Sequence, residues 1–288
     1  MSDNKNRAVV FMLFGQSNAV GHGIPMKDED RITVPLKNVF GLSRELNQSY
    51  NNTRLDWSGY LSAGMNLAEE QDDTYSVANC LARRWQDAID AGRDLPDLYI
   101  IQIAIGAQGV TEQFMWYPER APKLVPGPLG TVDISLYPFA LRILMLVGAS
   151  FRELGKTPEF LMHWRGGEED TTVHVEQLEG VLEGIYLRMF NGFYSALGTK
   201  FPIVLHYMPF YERSMEMDPS GEEWRSMQYI DAMFEKLVRE HDNISLFDPR
   251  RAPFYVPDTR EHNLYIKDAV HYTPEVNDWV ASEIMKGF

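Results

Sequence analysis

Four short segments carry the residue types that could do chemistry. The first is Phe14-Gly15-Gln16-Ser17-Asn18-Ala19-Val20-Gly21-His22-Gly23. A serine just past a strand, behind a glycine that permits a tight turn, can be presented as a nucleophile. Its own N–H then points at an oxyanion. The same residues also suit a polar turn with a capping serine. A phosphate loop is a poor fit, because neither Gly-Lys-Ser/Thr nor G-x-G-x-x-G is present. Serine is inert without a base in hydrogen-bond reach and a third group orienting that base. Lys267-Asp268-Ala269-Val270-His271-Tyr272-Thr273-Pro274 offers both. Asp268 and His271, three apart in a turn, can lie side by side so that the carboxylate fixes the imidazole tautomer. With seven histidines in the chain, one such pair is also about what composition alone supplies. Thr273-Pro274 reads equally well as the N-cap and first residue of a helix.

The third segment is Leu161-Met162-His163-Trp164-Arg165-Gly166-Gly167-Glu168-Glu169-Asp170. Arg165 could grip a carboxylate-bearing substrate bidentately. Glu168, Asp170 and His174 could in principle ligate a metal, but the carboxylates fit a hydrogen-bonding network or a helix start better. The fourth is Ala104-Ile105-Gly106-Ala107-Gln108-Gly109-Val110. Its small residues let backbone N–H groups approach a ligand closely. Trp116 and Tyr117 follow, and they could stack on a sugar or belong to the core.

These segments need elements to position them. Near-continuous apolar runs at Ala8–Phe14, Leu98–Ile105, Glu159–Trp164, Ile203–Met208 and Ile244–Phe247 read as strands covered on both faces. Helical patterns occupy Tyr75–Ala91, Ser135–Leu154, Val175–Leu197, Glu222–Glu240 and Thr273–Lys286. Strands alternating with long helices are βαβ units, hence an α/β fold with a mostly parallel sheet in a three-layer sandwich. The expected organisation is a flexible N-terminus over 1–7 and one domain over 8–288. Polar or Pro-rich insertions stand near 25–70, with at most one short strand near Asn38–Gly41, and near 115–130. Both follow candidate strands and should emerge at the carboxyl edge of the sheet, where α/β proteins bind ligands.

Composition narrows the partners. The chain has 288 residues, 44 % hydrophobic and 24 % charged, as in ordinary globular proteins. A net charge of −14 repels phosphate backbones, so neither nucleic acid nor an anionic membrane is expected as a partner. No apolar run reaches the ~18 residues of a membrane span. No export signal is visible, which leaves a cytoplasmic location as the default expectation. Cys80, the single cysteine, excludes an intrachain disulfide and reads as a small buried residue.

In this order, the four segments resemble the SGNH (GDSL-like) hydrolases. The nearest branch is the sialate O-acetylesterase and acetylxylan-esterase group, carbohydrate esterase family 6. Its Gly-Gln-Ser-Asn block is similar to Gly15-Gln16-Ser17-Asn18, its Ala-x-Gly-Gly-Thr-x-Ile block to Ala104–Val110, its Trp-x-Gln-Gly-Glu-x-Asp block to Trp164–Asp170, and its Asp-x-x-His block to Asp268–His271. The resemblance implies a flavodoxin-like α/β/α sandwich of about five parallel strands. It implies Ser17 as nucleophile, His271 as base and then acid, and Asp268 as its orienter. The oxyanion would lie on the N–H of Ser17 and of Gly106 or Ala107. Gln16, Asn18, Glu168 and Asp170 would support the site, and Arg165 and Trp116 would meet the substrate. The reaction would be hydrolysis of acetyl or other short acyl esters on a small-molecule or polysaccharide substrate, with no cofactor and no metal. Ala107 replaces the second glycine of its block and Gly166 replaces a glutamine. Both departures motivate an alternative, a glycan-binding or virion-associated module on the same fold. A lipid esterase would need an apolar acyl channel, against which the polarity of residues 25–70 argues.

Overall fold

The structure, a computed structural model, describes residues 3–49, 51–69, 74–120, 124–127, 130–133, 135–208, 221–257, 263–268 and 270–288. Nine strands are described: β1 (Arg7–Gly15), β2 (Val39–Leu42), β3 (Trp57–Gly59), β4 (Asp97–Ala104), β5 (Leu124–Gly127), β6 (Gly130–Asp133), β7 (Thr157–Arg165), β8 (Ile203–His206) and β9 (Ile244–Phe247). The described helices are α1 (Ser17–Val20), α2 (Arg44–Asn47), α3 (Val77–Asp90), α4 (Leu136–Leu154), α5 (Val175–Leu178), α6 (Leu182–Leu197), α7 (Glu222–Glu240) and α8 (Pro274–Met285).

Seven strands form one sheet in the order β3-β2-β4-β1-β7-β8-β9, and β5 pairs with β6 in a separate hairpin. All pairings in the large sheet are parallel except β2 with β3. The five strands expected from their apolar runs therefore follow the doubly wound order 2-1-3-4-5. The sheet is wider than those five, because β2 and the antiparallel β3 extend it beyond β4.

β1 shows why the apolar runs are continuous. Its residues from Ala8 onward are all buried, and successive side chains point to opposite faces. Ala8, Val10, Met12 and Phe14 enter a core with Ile143, Phe190, Phe193 and Phe234 of α4, α6 and α7. Val9, Phe11 and Leu13 enter a second core with Val77, Leu81 and Trp85 of α3 and Val280 and Ile284 of α8. Two cores on opposite faces of one sheet make the three-layer α/β/α sandwich. Each large apolar side chain so buried stabilises by roughly 1.5–3 kcal/mol.

The helical pattern expected over Val175–Leu197 is two helices. Gly180 between them has φ +76°, a backbone that ends α5 and re-aims the chain into α6. Of residues 1–7, Met1 and Ser2 lie outside the described residues, Asp3–Asn6 form a 3-10 helix, and Arg7 belongs to β1. Among the described residues, no helix is long and apolar enough to cross a membrane.

Candidate active site

In the order 2-1-3-4-5 the connections leave the sheet in opposite directions between β1 and β7, and the carboxyl ends of these two strands open the crevice. Gly15 and Arg165 are paired there. Gly15 has φ +141°, and a Cβ on it would collide with the backbone carbonyl of Arg165, so only glycine fits. The chain turns at once. Gln16 N–H donates to Arg165 O at 2.9 Å, and Ser17 opens α1. Gly21, with φ +91°, closes this helix and donates its N–H to Ser17 O. Ser17 is buried, and among the described residues its N–H meets no acceptor.

Gln16 and Asn18, on either side of Ser17, donate to the same carboxylate: Gln16 Nε2 to Glu168 Oε2 at 2.7 Å, and Asn18 Nδ2 to Glu168 Oε1 at 2.9 Å. All three side chains are buried. Asn18 reaches further. Its Nδ2 lies 3.2 Å from Val270 O, and Tyr272 N–H donates to its Oδ1 at 3.1 Å. Val270 and Tyr272 flank His271, so one amide fastens the histidine's chain to the start of α1.

His271 Nδ1 lies 2.7 Å from Asp268 Oδ2. Asp268 Oδ1 also accepts from the backbone N–H of Val270 at 2.9 Å and of His271 at 3.0 Å. Partial burial alone would raise the Asp268 carboxyl, but the backbone and ring hydrogen bonds of His271 and the Val270 N–H outweigh it and hold it below its ordinary value. An ionised carboxylate can only accept, so Nδ1 carries a proton, and a neutral ring would then have its lone pair on Nε2. Among the described residues no hydrogen bond joins Ser17 Oγ to the His271 ring. Such bonds are often long in unliganded sites and tighten when substrate binds.

Asp170 anchors the loop after β4. It accepts from the N–H of Val110 at 3.0 Å, the N–H of Thr111 at 3.1 Å and the Thr111 hydroxyl at 3.1 Å. Burial pushes its carboxyl up to about 7 against the pull of these bonds. Gly109 is needed beside it, since a Cβ there would meet the carboxylate. Ala107 sits at φ +56°, a left-handed backbone that glycine adopts without strain and alanine does not. Its N–H meets no acceptor among the described residues. Gly106 N–H, the other candidate oxyanion donor, is taken by Glu69 Oε2 at 2.9 Å.

Two expected substrate contacts are corrected. Arg165 is 1 % exposed. Its Nη1 donates to Asn18 O and to Asn277 Oδ1, each at 2.8 Å, and its guanidinium lies 4.7 Å above the Tyr272 ring. It is an internal strut between β7, α1 and α8, closed off from solvent, and its Nε and Nη2 meet no hydrogen-bond partner among the described residues. Trp116 is fully buried and donates Nε1–H to Gly15 O at 3.0 Å. It packs on Phe14 and Trp164 at 5.7 and 5.0 Å between ring centres. It supports the turn before Ser17 and cannot stack on a sugar. Tyr117, by contrast, lines a cavity of about 610 Å³ together with Thr111, Gln113, Gln177 and Arg188.

The group of described residues whose spacing suits a metal is His174, Glu176 and Glu222, which includes neither Glu168 nor Asp170. Arg225 pairs with both of its glutamates, so a cation is already there. His22 and Glu69 are site residues that sequence reasoning missed. His22 stands in the Gly21-His22-Gly23 run but carried no assigned role, and Glu69 lies in the polar insertion without any motif. The His22 ring centre is 5.9 Å from that of His271, and its Nε2 is 3.1 Å from Glu69 Oε1.

The fold has a solved counterpart. The chain is similar in fold to NanS. The two share 13 % identity over 98 % of each chain, with a TM-score of 0.60. An inhibitor-bound aryl esterase from M. smegmatis aligns at 10 % identity over 97 % of this chain and 99 % of its own, with a TM-score of 0.40. No family profile and no curated protein matches the chain. The likeness to NanS extends to the α/β/α architecture, and the chemistry has to be argued from the residues themselves.

Proposed function

We propose that the protein is a serine esterase acting through an acyl-serine. The observation that carries this reading is the Asp268–His271 pair, fastened by Asn18 to the start of the helix that Ser17 opens. Ser17 Oγ attacks the ester carbonyl carbon while His271 Nε2 takes the hydroxyl proton. The carbonyl oxygen becomes an oxyanion beside the N–H groups of Ser17 and Ala107, neither of which meets another acceptor among the described residues. Collapse breaks the C–O bond of the leaving alcohol, which departs with the proton from His271. A water molecule, deprotonated by the same nitrogen, then releases the acid and regenerates Ser17. Asp268 holds Nδ1–H and stabilises the imidazolium without taking its proton.

The substrate class is a short acyl ester, acetyl first, on a carbohydrate alcohol. The resemblance of the four blocks to the carbohydrate esterases supports it. The test is acetate release from p-nitrophenyl acetate and from an acetylated-glycan panel, with Ser17→Ala as control. Turnover lost in the variant supports the reading, and no turnover on any ester opposes it.

A second reading keeps the fold without turnover, as a glycan-binding or virion-associated module. It is favoured by the Glu69 carboxylate on Gly106 N–H and by Gly166, which has no side chain to offer the site. Retained glycan binding with an unreactive Ser17 is the outcome that selects it.

A further inference from the structure

Two donors from separate segments converge on one internal carboxylate beside the site. Gly106 N–H donates to Glu69 Oε2 at 2.9 Å, and His22 Nε2 is 3.1 Å from Glu69 Oε1. An ionised carboxylate can only accept, so Nε2 carries a proton. The His22 and Glu69 side chains are about one-fifth exposed, so the pair opens to solvent and is not sealed in the core. Burial would raise the Glu69 carboxyl, but the bonds from His22 and Gly106 hold it below its ordinary value, and it stays charged. The donors are fixed in place. His22 N–H donates to Ser17 O at 3.0 Å, and a Cβ on Gly106 would strike the His22 ring.

A backbone N–H and an imidazole N–H meeting the two oxygens of one carboxylate make a seat for a small carboxylate or an acyl oxygen. We propose that Glu69 is a resident occupant of this seat, and that it must swing out before an acyl group or a short carboxylate can use Gly106 N–H and His22 Nε2–H. Glu69 thereby sets how much of the protein is competent to bind the acyl end of its ligand. A site open only one-tenth of the time loses about tenfold in apparent affinity. The catalytic consequence rests on the esterase reading above, but the existence of the seat does not.

The experiment uses the full chain, with Glu69→Ala and Glu69→Gln beside wild type, and sodium acetate as probe. Acetate binding is read from the His22 ring signals by NMR, with thermal melting confirming that each variant is folded. The expected result is a saturable shift in Glu69→Ala, a weaker one in Glu69→Gln, and none in wild type at the same concentration. No shift in Glu69→Ala overturns the seat whether or not the protein turns over esters. Where wild type hydrolyses p-nitrophenyl acetate, Glu69→Ala is expected to raise kcat/KM up to about tenfold. An unchanged or lower value, with Ser17 still labelled by a fluorophosphonate, makes Glu69 a support for the Gly106 turn and overturns the gating role.

Discussion

Removing the Asn18 side chain tests how the site is assembled. In Asn18→Ala three hydrogen bonds disappear, to Glu168, to Val270 O and from Tyr272 N–H. Net contributions are about 0.5–1.5 kcal/mol for a neutral bond and about 1.5–3 kcal/mol for one to a charged group, and buried partners left unpaired push toward the upper end. The loss should be about 3 kcal/mol. At roughly 2–4 °C per kcal/mol for chains of this class, the melting temperature falls by about 6–12 °C. The segment carrying His271 loses its tie to α1, so kcat/KM should fall further than stability alone explains, with Asp268–His271 contacts intact. Asn18→Asp separates charge from shape. It keeps an acceptor for Tyr272 N–H but sets a second carboxylate against Glu168, where the amide stood at 2.9 Å. That variant should be the less stable of the two at neutral pH and recover as acid protonates one of the pair. Thermal melting from pH 5 to 8, with initial rates on p-nitrophenyl acetate, reads both effects. A melting shift under 2 °C in Asn18→Ala, with unchanged kcat/KM, would refute the clamp.

Four further expectations follow from the packing. Trp116→Phe should lower stability by about 1–3 kcal/mol through the lost Gly15 O bond and lost volume, leaving KM for a glycan ester unaltered. A change in KM at full stability would restore a contact role. Ala107→Gly relieves about 1–2 kcal/mol of left-handed strain at φ +56° but adds unfolded-state entropy of similar size, so its melting temperature should stay within about 3 °C of wild type or rise. A loss above 2 kcal/mol would mean the methyl packs usefully. His163 and His206 share a hydrogen bond of 2.9 Å in the core, and burial pushes His163 down to about 3. A depressed base protonates more readily when unfolded, so this contribution is present above about pH 6.5 and is lost as pH falls toward 3. Burial has the opposite sign for Asp170, whose stabilising neutral form is lost as pH rises through about 7. Replacing both histidines by leucine should flatten the acid limb of the stability curve, and Asp170→Asn the neutral limb, each read by denaturant melts across pH.

The parallel strands were legible because a strand buried on both faces needs apolar residues at every position, as β1 and β4 show. β3 escaped notice, being three residues long and only half-buried, a pattern indistinguishable from loop. The break at Gly180 was visible as a glycine inside a helical pattern, but only its positive φ distinguishes a helix end from a tolerated glycine. At the site, the motifs marked which side chains would meet. Gln16, Asn18 and Glu168 are short-range neighbours of strand ends, and the parallel pairing of β1 with β7 brings those ends together. Arg165 and Trp116 misled because a guanidinium or an indole suits a ligand and an internal strut equally well. Burial decides between the two, and burial depends on α8 and the far core. Glu69 was hidden because the polar insertion has no periodicity, and only the folded chain brings it to Gly106 and His22.

The most direct measurement is covalent labelling of the protein by a fluorophosphonate, read by intact mass and peptide mapping. A serine activated by His271 and Asp268 displaces fluoride from phosphorus, so one adduct is expected, on Ser17, absent in Ser17→Ala and strongly slowed in His271→Ala. A folded protein that takes up no adduct, or carries it on another residue, would contradict the assignment of Ser17 as nucleophile.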